Sequence, residues 1–274
     1  MIIVNFSIFS SISNFFKERK LLNQIREAKS NQELNDAIKA AEAHPISNEQ
    51  ITKAKSDGCD SALKKISNSS TVEEYQKALQ LAIIFQSSEK QIQDAKQKAI
   101  DKALEKIQKA EFEERYTSAK LFVTELGVDE KPLHSAEEIC KMNVLTKISK
   151  AEDVSSLKEL FKLSEAISID DNLLNDAKKQ CKEYAYKRFE KANFVSDVEE
   201  VASIADLCGA SYQETLKAKQ STFCVMIYRI QQSTSLSEAQ RLALVAGALG
   251  LEQLLIDSAV KMVQERIAKQ NASN

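Results

Sequence analysis

An all-α fold, built as a right-handed-type α-solenoid of about six helical hairpins, is predicted by three features of this chain. Alanines stand 41 residues apart at Ala54, Ala95, Ala136, Ala177, Ala218 and Ala259. A fixed period of this size marks an array in which each unit buries its apolar face against the next. Other columns keep the same frame: Ile25, Ile66, Ile107, Ile148, Phe189 and Ile230 are apolar, and Ala28, Ser69, Ala110, Ala151, Ala192 and Ser233 are small. Only five glycines, two prolines and no tryptophan occur in 274 residues, which favours helix over strand.

The elements follow in order. Residues 1–16 carry no charge and include Phe6, Phe9, Phe15 and Phe16. The run is too short to span a bilayer, and its basic residues come after it. It reads first as a helical cap on the array, with a partner- or membrane-contact segment and a cleaved leader as the alternatives. Within a hairpin the apolar spacing is helical. In the second unit Tyr75, Ala78, Leu79, Ala82 and Phe85 predict a short helix of about 14 residues over 72–85. Ile92, Ala95, Ala99, Ala103, Leu104, Ile107 and Ala110 predict a long helix of about 23 residues over 88–110. At 1.5 Å per residue these are about 20 and 35 Å long.

Cap residues mark both starts. Ser47, Ser88, Asp129, Asp170, Ser211 and Glu252 precede the long helices, again 41 apart. Ser30…Glu33, Thr71…Glu74, Ser196…Glu199 and Ser235…Glu238 open the short ones, the first, second and fourth as capping boxes. Pro132 fits a first helical turn and Pro45 an inter-helix loop. The last short helix, from Leu242 to Leu249, is apolar around most of its circumference. No linker-like stretch interrupts the register, so residues 17–270 are expected to form one continuous solenoid, with 271–274 as a disordered tail.

The array resembles the broad class of helix-hairpin repeat proteins that includes HEAT, armadillo and tetratricopeptide arrays. The resemblance is architectural and covers about residues 14–270, and the period of 41 suits the HEAT-like end of that class. The Trp–Leu–Gly–Tyr landmarks of tetratricopeptide units are absent, as is the recurrent intrahelical proline of HEAT units. No residue role is carried over from the class.

Thirty-eight basic residues balance 40 acidic ones, for a formal charge of −2, which gives no global preference for nucleic acid or anionic membrane. Cys59, Cys140, Cys181, Cys208 and Cys224 form no CxxC pair and read as packed thiols in a reducing, cytoplasmic setting. His44 and His134 occupy different columns and have no Cys or His at ligand spacing. No phosphate-loop, dinucleotide, serine-hydrolase or zincin motif occurs. Adjacent acids such as Glu73–Glu74 complement helix dipoles. No catalytic residue, metal or cofactor is therefore expected.

The candidate binding residues fall into two sets. Lys65, Lys106, Lys147, Arg188 and Arg229 recur 41 apart near the C-termini of the long helices, with Lys109, Lys150 and Lys191 one turn further on. Stacked units would align them into a basic stripe suited to an acidic polymer or surface, although cations at helix C-termini also offset carbonyl charge. The apolar set comprises Phe6 and Phe9 at one end, Leu244 and Leu251 at the other, and Ile83 and Ile84 at columns that are polar elsewhere. The expected function is a non-enzymatic scaffold that binds a protein partner along a helix-lined surface, with docking or self-association through its apolar ends. The alternative is a nucleic-acid backbone or acidic-surface binder that uses the basic column.

Overall fold

The computed structural model describes residues 3–273, and the side chains of residues 15–272. Helices joined by short turns make up the described residues, and no strand occurs among them. The first helix, α1 (Ile3–Arg26), precedes a series of pairs. The short helices are α2 (Asn31–Glu42), α4 (Val72–Ile84), α6 (Glu113–Glu125), α8 (Val154–Ala166), α10 (Val195–Leu207) and α13 (Leu236–Leu249). The long ones are α3 (Asn48–Asn68), α5 (Glu89–Gln108), α7 (Glu130–Ser149), α9 (Asp171–Phe189), the broken pair α11 (Tyr212–Ser221) and α12 (Phe223–Gln232), and α14 (Gln253–Ser273). Each short helix begins 41 residues after the previous one, and so does each long helix. The long helices are slightly shorter than their apolar pattern predicts, because the last small residue of that pattern (Ala110, for example) lies in the turn. Helix α14 runs to Ser273, through residues read from the sequence as a tail.

Local chemistry explains the helix starts. Ser30, Thr71, Asp153 and Ser235 cap α2, α4, α8 and α13 by accepting the amide three residues on. Glu33, Glu74 and Glu238 reach back to the amides of Lys29, Ser70 and Thr234. Helix α10 departs from the expected start at Ser196. Phe194 holds the cap position, and the Asp197 carboxylate accepts from the amides of both Asn193 and Phe194.

The short helices end in a repeated device. Gln86, Gly127, Ser168, Gly209 and Gly250, each 41 apart, adopt left-handed backbone with φ of 57°, 70°, 53°, 78° and 87°. Each donates its amide to the residue three back, and the following amide reaches back five, as in Leu251 to Ala246. Pro45 occupies this column in the first hairpin. Its ring holds φ negative, and that turn closes instead through the amides of His44 and Ile46.

The fifth long helix breaks between α11 and α12, where one helix is expected. The Ser221 and Thr222 hydroxyls bond the Ala218 and Lys219 carbonyls three residues back, and the Thr222 amide also turns to Lys219. Hydroxyl groups bonded to the preceding turn compete with the helical ladder and bend it.

Packing divides the chain into two compact units, residues 1–107 with 117–136 and residues 108–116 with 137–274. In the first, α1, α2 and α3 enclose Ile25, Leu34, Ala37, Ala41, Ile46, Ile51 and Ala54, and Ile84 and Phe85 lean on this cluster. A second cluster joins α3, α4 and α5 through Ala62, Ile66, Ala78, Ala82 and Ala95. In the second unit, short helices pack on short helices (α8, α10, α13) and long helices on long helices (α9 on α11, α12 on α14). This gives that unit two helical layers. The Ile25 to Ile230 column is 0% exposed at all six positions across the two units, and the small column from Ala28 to Ser233 is buried throughout.

The two glycines near the end of α13 should respond oppositely to substitution. Gly247 lies within the helix with open space around it, so Gly247→Ala should raise stability by about 0.5–1 kcal/mol. Gly250 is left-handed, so Gly250→Ala should lower stability by about 1 kcal/mol, and Ser168→Gly should raise it by a similar amount. Urea denaturation followed by circular dichroism checks the three signs; an unchanged midpoint for Gly250→Ala would contradict the assigned turn.

Candidate functional site

Three grooves share one place in the repeat frame, where the end of a long helix, its turn and a short helix meet. In the second unit, a groove of about 420 Å³ is lined by Glu111, Phe112, Thr146, Lys147, Lys150, Ala151, Ser156, Glu159 and Leu160. Forty-one residues on, Glu152, Lys187, Arg188, Lys191, Ala192, Asp197 and Val201 line a second groove of about 380 Å³, together with Tyr184. In the first unit a groove of about 490 Å³ lies between α1, α3 and α4. Lys29 and Lys65 line it at positions equivalent to Glu111 and Lys147. Its floor is apolar: Ala28, Gly58, Ala62, Leu81 and Phe85. Gly58 is required there, since a Cβ at that position would sit 2.4 Å from the Phe85 ring.

The basic column therefore borders these grooves, but most of its members are already engaged. Lys147 pairs with Glu111 at 2.6 Å, and this pairing holds the Glu111 carboxyl below its ordinary range. Arg188 donates to the Glu152 carbonyl at 2.8 Å. Arg229 donates to the Glu190 and Ala192 carbonyls at 2.8 and 2.7 Å, and to the Asn193 side chain at 2.7 Å. Arg266 repeats the pattern on the Gln231 and Ser233 carbonyls. These partners lie in the turn of the preceding hairpin, so the guanidinium groups staple neighbouring hairpins by satisfying helix C-terminal carbonyls. Lys106 is half-buried, and its charge contributes to the lowering of Glu74, whose largest cause is the Ser70 amide. Lys65 is exposed, Lys150 and Lys191 line the grooves of the second unit, and Lys109 is exposed.

The apolar candidates separate. Leu244 is 68% exposed and Ile83 59% exposed. Leu251 is only 6% exposed: it follows the left-handed Gly250 and buries itself as the apolar residue that closes the turn. Glutamate at Leu251 would therefore disrupt folding rather than report on docking. Ile84 is half-buried against the first core cluster. The side chains of Phe6 and Phe9 lie outside the described residues. Leu254, Leu255 and Met262 on α14, which pattern reading did not single out, are exposed.

Other displaced ionisations trace to caps, ion pairs and burial, and the buried Cys181 and Cys208 thiols shift in opposite directions, Cys181 down and Cys208 up, each through the other first. Glu214 is held down to about 2 by the Ser211 amide, with Lys182 adding to it. Asp153 is lowered by the Ser156 amide it caps. Cys140 is pushed up by burial, as a packed thiol should be. All five cysteines are free, and no cluster of metal-ligating side chains occurs among the described residues. No described helix is long and apolar enough to cross a membrane.

Sequence reasoning missed Arg26, Lys29, Lys77 and Phe85 as groove residues. The available signal was the substitution of Lys29 and Lys77 at columns that carry Glu111 and Glu159 two hairpins later.

Compared with known proteins, the chain matches no family model, no curated protein and no solved structure.

Removing the Arg229 staple should leave two carbonyls and one amide side chain without their donor. Arg229→Ala is expected to destabilise the protein by about 2 kcal/mol. Arg229→Lys should recover little, because an ammonium cannot span the three acceptors as a planar fork does. Denaturant midpoints of the two variants test this; full recovery by lysine would reduce the role of the guanidinium to charge alone.

Proposed function

We propose that the chain is a non-enzymatic scaffold that binds a protein partner along its helix-lined grooves. On this reading each compact unit is built from 41-residue helical hairpins of the α-solenoid type, and it works in a reducing, intracellular setting. The observation that carries the proposal is the recurrence of a groove with a polar rim at equivalent positions of three of the hairpins, one in the first unit and two successive ones in the second. Repeated grooves of this kind suit an extended polypeptide, with apolar contacts supplying affinity and rim charges selecting the partner. Exposed side chains at the groove and helix surfaces, among them Phe112, Ile83 and Leu244, add contact area. The lowered carboxyls of Glu111, Asp153 and Glu214 serve helix ends and ion pairs, which supports a structural role for these three groups.

Tracking of a nucleic-acid backbone by the Lys/Arg column is the less supported reading. Lys147, Arg188 and Arg229 spend their donors on Glu111 and on turn carbonyls, so phosphate would have to compete with those bonds.

Photo-crosslinking residues placed at Ser61, Thr146 and Lys187, all at or beside a groove-lining position, should capture polypeptide from cells. The same residue at exposed His134 or Ser203 should capture far less. The adducts should survive nuclease. Adducts that disappear with nuclease, or that form equally at all five positions, would remove the proposal.

A further inference from the structure

The first-unit groove differs from its counterparts in charge, although it occupies the same place in the hairpin. In the second unit two carboxylates line each groove, against two cations in one and three in the other. Glu111 pairs with Lys147, Glu159 with Lys162, and Glu152 accepts the Tyr184 hydroxyl. In the first unit the position of Glu111 and Glu152 is taken by Lys29, and that of Glu159 by Lys77. Lys65, the column residue equivalent to Lys147, therefore has Lys29 in its groove at the position where Lys147 has Glu111. Neither lysine has an ion-pair partner among the described residues. Arg26 and Lys77 complete a rim of four cations. Arg26 is bound to Asp57 at 2.8 Å, and Lys77 to Glu73 in a highly exposed pair that contributes little. The single carboxylate lining this groove is Glu27.

Space accompanies the charge. Tyr184 lines the fourth-hairpin groove, whereas the equivalent residue in the first unit is Ser61. The floor there reaches Gly58, Leu81 and the edge of Phe85. Like-charge residues facing one cavity repel each other unless an anion lies between them, and an apolar floor favours an anion that also carries hydrocarbon.

We infer that the first-unit groove binds an acidic peptide segment, with carboxylates between Lys29 and Lys65 and an apolar side chain over the Gly58–Phe85 floor. The inference rests on the scaffold reading above and names the class of partner for one of its grooves. Charge complementarity selects the occupant. A phosphate chain would satisfy the lysines but would leave the floor uncovered.

The test uses the full chain and a short fluorescein-labelled peptide that alternates Glu and Asp with Leu and Phe. Two controls accompany it, an isomer with Gln and Asn in place of the acids and an oligothymidylate. Fluorescence anisotropy should show binding of the acidic peptide that weakens with salt. Lys29→Glu with Lys65→Glu should raise its Kd by about tenfold or more, because two attractions become repulsions. Both side chains are exposed, so the melting temperature should fall by no more than a few degrees, the cost of placing an acid at the α3 C-terminus. Lys150→Glu with Lys191→Glu, in the other unit, should leave Kd within about twofold. The charge-reversed variant should also gain affinity for a peptide with Lys in place of the acids, which a merely structural role would not produce. Absence of binding, equal loss in both double variants, equal binding of the neutral isomer, or displacement by oligothymidylate through the same lysines would each overturn the inference. Protein adducts at Thr146 and Lys187 without acidic-peptide binding would remove this inference and leave the scaffold reading standing; absence of adducts at every groove position would remove both.

Discussion

Every hairpin in this chain depends on burying a face made of small residues. An isolated pair of helices could not shield the columns that begin at Ile25, Ala28 and Ala54, and each pair gains its stability from neighbours that present the same columns. Small side chains let helix axes approach closely. The close approach then leaves little latitude in what stands opposite. At Gly58 the room that a methyl group would need is filled by Phe85, and at the equivalent position three hairpins on the buried Cys181 lies beside the buried Cys208 thiol. The column tolerates glycine, alanine, cysteine and threonine, and the facing side chain adjusts in volume. Packing density thus transmits the period from residue to residue without requiring identical residues.

The helix ends follow from the same constraint. Close-packed hairpins leave the final carbonyls of each helix in tight turns with limited access to water, and those groups require partners. The short helices meet the requirement locally, through left-handed residues and reversed amides. The long helices meet it from the next hairpin, whose Arg188, Arg229 or Arg266 reaches back about 35 residues. A cation column that reads as a recognition stripe is therefore also a structural device. Arg229 and Arg266 each bond two of these carbonyls and Arg188 bonds one. Lys147, at the same place in its hairpin, pairs with Glu111 instead.

Departures from this rule fall at the grooves. A groove is an ordinary by-product of hairpins meeting at an angle, and in the second unit two carboxylates line each one, against two cations in one groove and three in the other. The first unit keeps the groove and has Lys29 and Lys77 where acids stand, with Glu27 as the one carboxylate in the lining, and Lys29 and Lys65 have no ion-pair partner among the described residues. Stability alone gives no reason to place Lys29 beside Lys65. The scaffold reading we propose gives one, since rim residues can change while core columns stay constant.

Much of this was legible in the residues themselves. The helical class, the 41-residue spacing of helix starts and the buried columns were all readable from the chain, because each depends on side-chain size and polarity recurring at a fixed interval. The caps at Ser30, Thr71 and Ser235 were readable because capping is local. The left-handed turn column was half hidden: Gly127, Gly209 and Gly250 advertise it, but Gln86 and Ser168 do not. The break at Thr222 depended on hydroxyl bonds to the preceding turn, for which pattern reading has no signal. Leu251 and Leu244 look alike in sequence, and only the path of the chain after Gly250 decided that one is buried and the other exposed. The grooves, and the facing of Lys29 and Lys65 across one of them, belong to the tertiary structure alone, since residues 36 positions apart share a site only after two hairpins have packed.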